Sequence, residues 1–319
     1  MTNYKFVINI IYSVLLTIIV VFFVVNIFID PYGEYNIVQK KWNYFKKVAS
    51  HETSTFKLFR LLKENKYNIV FGTSHSGYMS SEMFGSNTLN FSNSLYGNPV
   101  DVYHFLQQLD INQIKNIKNV YYLLDAHTFL DKNSIFNELD LNSWNDFYIA
   151  TFQNIGKKKI LVALGTVKAN LNGSIYRYLA RTGEIVDKNQ TTIEEISIEK
   201  TRMPTYGKKA IDFLKKVNLF FLENNIHVIY YTSPLNIPYL KKIDCIAYEK
   251  QFASFFTSIE KVYDFRYLPQ ISEQLSNYTD HDHLSVKATK KFVEILKKEP
   301  NQYQVKFNSY KDIIRRTCL

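Results

Sequence analysis

Gly72-Thr73-Ser74-His75 follows an apolar run, and Tyr278-Thr279-Asp280-His281-Asp282-His283 lies near the far end of the chain, just ahead of an amphipathic segment. A serine hydroxyl becomes a useful nucleophile only when an imidazole takes its proton. That imidazole in turn needs a carboxylate to fix its tautomer and stabilise its charged form. Asp280 and His283, three residues apart on a loop leading into a helix, can both return to one edge of a sheet. The same residues admit blander and rival chemistry. Gly-Thr-Ser is also an ordinary helix N-cap turn. Asp280-His281-Asp282-His283 contains ligand types suited to zinc or manganese, and His75, Asp125 and His127 could add donors for a metal-dependent phosphoesterase.

Either chemistry needs elements that bring distant residues to one place. Five short runs rich in Val, Ile and Tyr read as strands: Tyr67 to Phe71, Thr88 to Phe91, Val120 to Leu124, Ile226 to Tyr231 and Val262 to Phe265. Val100 to Leu109, Ala210 to Glu223 and Val286 to Lys297 place apolar residues at three- and four-residue spacing and read as covering helices. This alternation predicts an α/β domain with a mostly parallel sheet. Working groups then sit at the carboxyl ends of strands, where Ser74 falls. Gly72 relaxes the sharp turn there, and amides opening the next helix point toward an anion formed at Ser74. His75 either reaches the pocket beside Ser74 or caps that helix. His104 and His227, inside a helix and a strand, read as structural. Tyr231-Thr232-Ser233-Pro234 ends a strand on the same edge and either lines a cleft or makes a turn. From about 131 to 205 the alternation breaks into a polar insertion, a cap or a surface excursion. The basic tail from 299 to 319 reads as frayed or surface-bound.

On Gly72-Thr73-Ser74, Gly97 and Asp280-x-x-His283, the stretch from about 63 to 298 resembles the SGNH/GDSL hydrolase superfamily, in particular its membrane-anchored branch that modifies cell-envelope polymers. The resemblance implies a flavodoxin-like three-layer α/β/α sandwich. It implies Ser74 as nucleophile, His283 as general base then acid, Asp280 as the orienting partner, and Gly97 with the Ser74 amide as oxyanion donors, with no metal and no cofactor. Where the family carries Gly-x-Asn-Asp, this chain has Asp125-Ala126-His127-Thr128, so His127 would have to stand in for the Asn. An absent donor costs about 10²–10³ in rate. The activity implied is an esterase or O-acyltransferase working through an acyl-serine on an envelope glycan or lipid-linked acyl acceptor. In a transfer pathway an integral-membrane acyl donor protein is the partner, and the body lies outside the cytoplasm. The competing class is an anchored binding or assembly protein that keeps the fold and not the reaction.

Phe6 to Ile29 run for 24 positions without a charge. At about 1.5 Å per residue such a helix crosses a hydrocarbon core of about 30 Å. The span exceeds the apolar core of a cleaved signal and is followed by no small-x-small site, so it reads as an uncleaved transmembrane helix. Asp30-Pro31-Tyr32-Gly33 stops it and opens a juxtamembrane segment from 30 to 62. Only Lys5 and the amino group precede the span, whereas Lys40, Lys41, Lys46 and Lys47 follow it. That bias favours a cytoplasmic body, yet large domains translocate despite such charges, so the flanks leave orientation open. The chain of 319 residues is 46% hydrophobic, which excludes a disordered tail and supports a sizeable core. Its net charge of +10 is scattered in short clusters, without a basic helix, which disfavours nucleic acid as partner. Cys245 and Cys318 form no CxxC or CxxH pair, which excludes a zinc ribbon or iron–sulfur cluster.

Overall fold

The computed structural model describes residues 2–29, 45–46, 66–92, 97–125, 157–172, 177–179, 185–186, 207–242, 259–280, 282–299 and 301–306. In chain order the elements are α1 (Thr2–Phe23), a π-helical turn (Val24–Ile29), β1 (Phe45–Lys46), β2 (Tyr67–Phe71), α2 (Ser81–Phe84), β3 (Thr88–Asn90), α3 (Pro99–Gln107), α4 (Ile111–Lys115), β4 (Ile117–Leu123), α5 (Lys157–Asn172), β5 (Arg177–Leu179), β6 (Ile185–Val186), α6 (Lys208–Glu223), β7 (His227–Tyr231), α7 (Ile237–Lys242), β8 (Lys261–Tyr263), α8 (Pro269–Ser272), α9 (Val286–Leu296) and β9 (Gln304–Lys306).

Six strands form one sheet in the order β3-β2-β4-β7-β8-β9. The first five are parallel and β9 closes the edge antiparallel to β8. Numbered along the chain, the parallel strands run 2-1-3-4-5, the doubly wound order whose direction of growth reverses between β2 and β4. Strand alternation sends residues to two separate cores. Ile69, Phe71, Val120, Tyr122 and Tyr230 pack with Val102, Phe105 and Leu106 of α3 and with Ala210, Leu214, Val217 and Phe221 of α6. Val70, Tyr121, Leu123, Ile229 and Tyr231 pack with Phe84 of α2 and with Ala288, Phe292, Val293 and Leu296 of α9. Helices therefore cover both faces in three layers, which is why these strands read as nearly continuous apolar runs.

Residues 304–306 of the basic tail, expected to fray, add β9 to the sheet. Within the 131–205 insertion, β5 and β6 join a second, antiparallel sheet, β1-β5-β6, in which β1 comes from the juxtamembrane segment. Helix α5 packs against β1 and against the π-helical turn that ends the apolar helix. That apolar helix holds an 18-residue window, Tyr4–Val21, of mean hydropathy 2.1 with none of it buried, long and apolar enough to span a membrane.

Candidate active site

β2 delivers Gly72 and then a single 3₁₀ turn, Ser74–Ser76, at its carboxyl end. A side chain at Gly72 would collide with the Ser76 hydroxyl and lie 2.8 Å from Leu123 Cβ, so only glycine lets the chain turn this tightly against β4. Gly97 has a φ of 59°, and a Cβ there would sit 2.7 Å from Gly72 Cα. Two glycine backbones thus pack directly on each other beneath the turn. Ser76 N–H and Gly77 N–H close the turn onto Thr73 O and Ser74 O at 3.0 and 2.9 Å. The N–H groups of Ser74 and Gly97 have no hydrogen-bond partner among the described residues. The buried Asn90 side chain donates to Ser76 O at 2.8 Å and Met79 O at 2.9 Å, stitching the loop after the turn to β3. Ser74 alone in the turn is exposed; Thr73, His75 and Ser76 are buried.

The second stretch is held just as firmly. Thr279 N–H donates to His283 O at 2.9 Å, Ser285 N–H donates to Asn277 O at 2.7 Å, and Ser285 Oγ caps α9 by accepting from Ala288 N–H. Asp280 Oδ1 accepts from the Asp282 and His283 amides at 3.1 and 2.8 Å, an Asx turn that folds the loop onto itself. The same oxygen lies 3.0 Å from His283 Nδ1. The other ring nitrogen, His283 Nε2, is 2.7 Å from Ser74 Oγ. Serine, imidazole and carboxylate from the two ends of the domain therefore meet in hydrogen-bond reach at the crevice where the strand order reverses.

A second chain of charges runs behind this one. Asp282 Oδ1 is 2.9 Å from His283 Nδ1, and Asp282 Oδ2 is 3.2 Å from His75 Nε2. His75 Nδ1 is 3.0 Å from Asp125 Oδ2, which also accepts from the Thr73 hydroxyl. The two imidazole rings lie tilted by 33° with centroids 4.6 Å apart. Burial disfavours a charged His75, but Asp125 and Asp282 outweigh it and push its pKa up to about 10. Burial likewise opposes charge on His283, and its hydrogen bond to Asp280 with the Asp282 carboxylate beside it still raises its pKa above the ordinary imidazole value. Burial would raise the Asp282 pKa, yet the two imidazoles hold it far below the usual carboxylate range. Desolvation of Asp280 is likewise overcome by His283 and by the two amides it accepts, so its pKa is lowered.

The chain matches no protein-family model and no curated protein sequence. Its chemistry has to be read from this site. Ser74, Asp280 and His283 are brought together, and Gly97 lies against the same turn. His75 faces a carboxylate with each ring nitrogen, Asp125 at Nδ1 and Asp282 at Nε2. His127 and His281 lie outside the described residues. His75, Asp282 and His283 offer ligand atoms within 4.8 Å of one another, a spacing that could hold a metal ion. In this arrangement those atoms face each other as imidazole–carboxylate pairs. The sequence pointed to Asp125 and Asp282 only as metal donors and missed Asn90. An Asn at a strand's carboxyl end was the available signal for the last.

Proposed function

We propose that this protein is a membrane-anchored, serine-dependent esterase or O-acyltransferase of the SGNH/GDSL kind. The observation that carries the reading is the 2.7 Å approach of Ser74 Oγ to His283 Nε2 with Asp280 on the opposite ring nitrogen. The 2-1-3-4-5 strand order and the placement of the serine after the first parallel strand support the same family. In the reaction, Ser74 Oγ attacks an ester carbonyl while His283 Nε2 takes the hydroxyl proton, and Asp280 stabilises the resulting imidazolium. The oxyanion is received by the Ser74 amide, with Gly97 as second donor. Collapse breaks the bond to the leaving oxygen, which takes the proton from His283 and leaves an acyl-serine. Water or an acceptor hydroxyl then attacks that carbonyl, gives its proton to His283 and releases Ser74 when the proton returns.

The bilayer-length helix favours substrates at a membrane surface, so the acyl group is added to or removed from an envelope glycan or a lipid-linked polymer, with the body outside the cytoplasm. An integral-membrane acyl carrier would supply the donor in the transfer direction. The spacing of His75, Asp282 and His283 is what favours the second reading, a metal-dependent hydrolase. Turnover of an activated acetyl ester by the full chain in detergent separates the two. Activity lost in Ser74→Ala and His283→Ala and unchanged by chelator supports the serine mechanism. Activity that survives Ser74→Ala and disappears with chelator transfers the site to a metal.

A further inference from the structure

Helix α5 is built inside out. Among its described side chains Ala163, Thr166 and Asn170 are buried and Val162 and Val167 half-buried, while Leu161, Leu164 and Leu171 are 58%, 61% and 64% exposed. At about 100° per residue those leucines and the exposed Lys168 fall on one stripe about 80° wide, on the side away from the small and polar residues. A helix on a water-facing surface carries the reverse arrangement, apolar residues inward and polar residues outward. Thr166 Oγ1 is buried without a hydrogen-bond partner, and the Asn170 side chain donates to the helix's own Thr166 carbonyl at 2.8 Å. Three exposed leucines on one stripe of such a helix call for an apolar neighbour.

Its position says what that is. α5 packs on the π-helical turn Val24–Ile29, immediately after the apolar window Tyr4–Val21. That window exposes apolar side chains along its length, among them Phe6, Ile10 and Leu16. Helix α5, with the leucine stripe on its exposed side, is thus next to the end of a helix long and apolar enough to cross a bilayer, at the level where acyl chains give way to headgroups. The sequence of α5 opens with Lys157-Lys158-Lys159, and its stripe carries Lys168, charges suited to anionic lipid headgroups beside apolar contacts.

We propose that α5 is an interfacial helix, lying in the bilayer surface with Leu161, Leu164 and Leu171 in the acyl–headgroup boundary, and that the β1-β5-β6 sheet fixes it to the exit of α1. The insertion thereby serves as a second membrane contact that restrains how the body sits over the lipid. This rests on α1 crossing the bilayer and is independent of the serine chemistry.

The test uses the full chain, with Cys245→Ser and Cys318→Ser, reconstituted in nanodiscs of phosphatidylcholine and phosphatidylglycerol. A small fluorophore is attached in turn at Leu164→Cys, Leu171→Cys, Leu16→Cys on α1 and Lys290→Cys on α9, and its depth is read from quenching by lipids spin-labelled at different heights. Labels at 164 and 171 are expected about 5–10 Å into the headgroup–acyl boundary, with 16 deep in the hydrocarbon and 290 in water. Two positions on α5 guard against one substitution disturbing the helix, and circular dichroism checks that each variant folds. Quenching of 164 and 171 by aqueous iodide to the extent seen at 290 overturns the proposal. So does shielding from both iodide and lipid quenchers, which would mean that protein covers the stripe. A label at 16 that fails to reach the hydrocarbon overturns instead the spanning helix on which the proposal stands.

Discussion

His283 faces two carboxylates on one nitrogen, Asp280 Oδ1 at 3.0 Å and Asp282 Oδ1 at 2.9 Å, and they do different work. Asp280 is 44% exposed and makes the aligned hydrogen bond; Asp282 is 7% exposed and links His283 to His75. Asp280→Asn should lower the acylation rate on the order of 10³–10⁴-fold, because the neutral amide no longer selects the reactive tautomer. Asp282→Asn should act through charge. Both carboxylates raise the His283 pKa, so the acid limb of the pH–rate profile lies above 6.5 in the wild type and moves to lower pH in Asp282→Asn. A limb that stays in place would show that Asp280 alone sets it. The Asp-x-x-His spacing was legible in the sequence because an Asx turn makes it local. The role of His75 was not, since its partners Asp125 and Asp282 come from strand ends and loops that only the fold brings to it.

At the scale of elements, the five parallel strands and the helices α3, α6 and α9 were legible from apolar runs and from three- and four-residue spacing. β1, β5, β6 and β9 were not, because these two- and three-residue segments lie outside any extended apolar run. Their existence depends on partners far away in sequence, as Lys261 of β8 opposite Lys306 of β9 illustrates. The glycine pair under the Ser74 turn is where element geometry bears on the proposed chemistry. Gly97→Ala has to force an alanine into the left-handed region and push its Cβ against the Gly72 backbone. A loss of about 1–3 kcal/mol in stability is expected, read by urea unfolding, together with a drop in acylation rate as the Ser74 turn shifts. An unchanged unfolding midpoint would mean that the two glycines are not in the contact described.

Over the whole molecule, stability should depend on pH in two opposed ways. His75 has a folded pKa raised to about 10, so its contribution is complete below about 6.5 and is lost as pH climbs toward 10. Asp280 and Asp282 have lowered pKa values, so theirs is present above about 4 and is lost as pH falls. Thermal unfolding of the full chain should therefore be latest between about pH 4 and 6.5, with an alkaline decline that is smaller in His75→Gln. A decline of equal size in that variant would remove His75 from the account. The central claim is that Ser74 is an activated nucleophile, and the most direct measurement is to treat the full chain with a fluorophosphonate and locate the adduct by mass spectrometry. A single adduct on Ser74, absent in Ser74→Ala, strongly slowed in His283→Ala and indifferent to chelator, is the expected result. Folded protein that forms no adduct, or forms one that persists in Ser74→Ala, would contradict it.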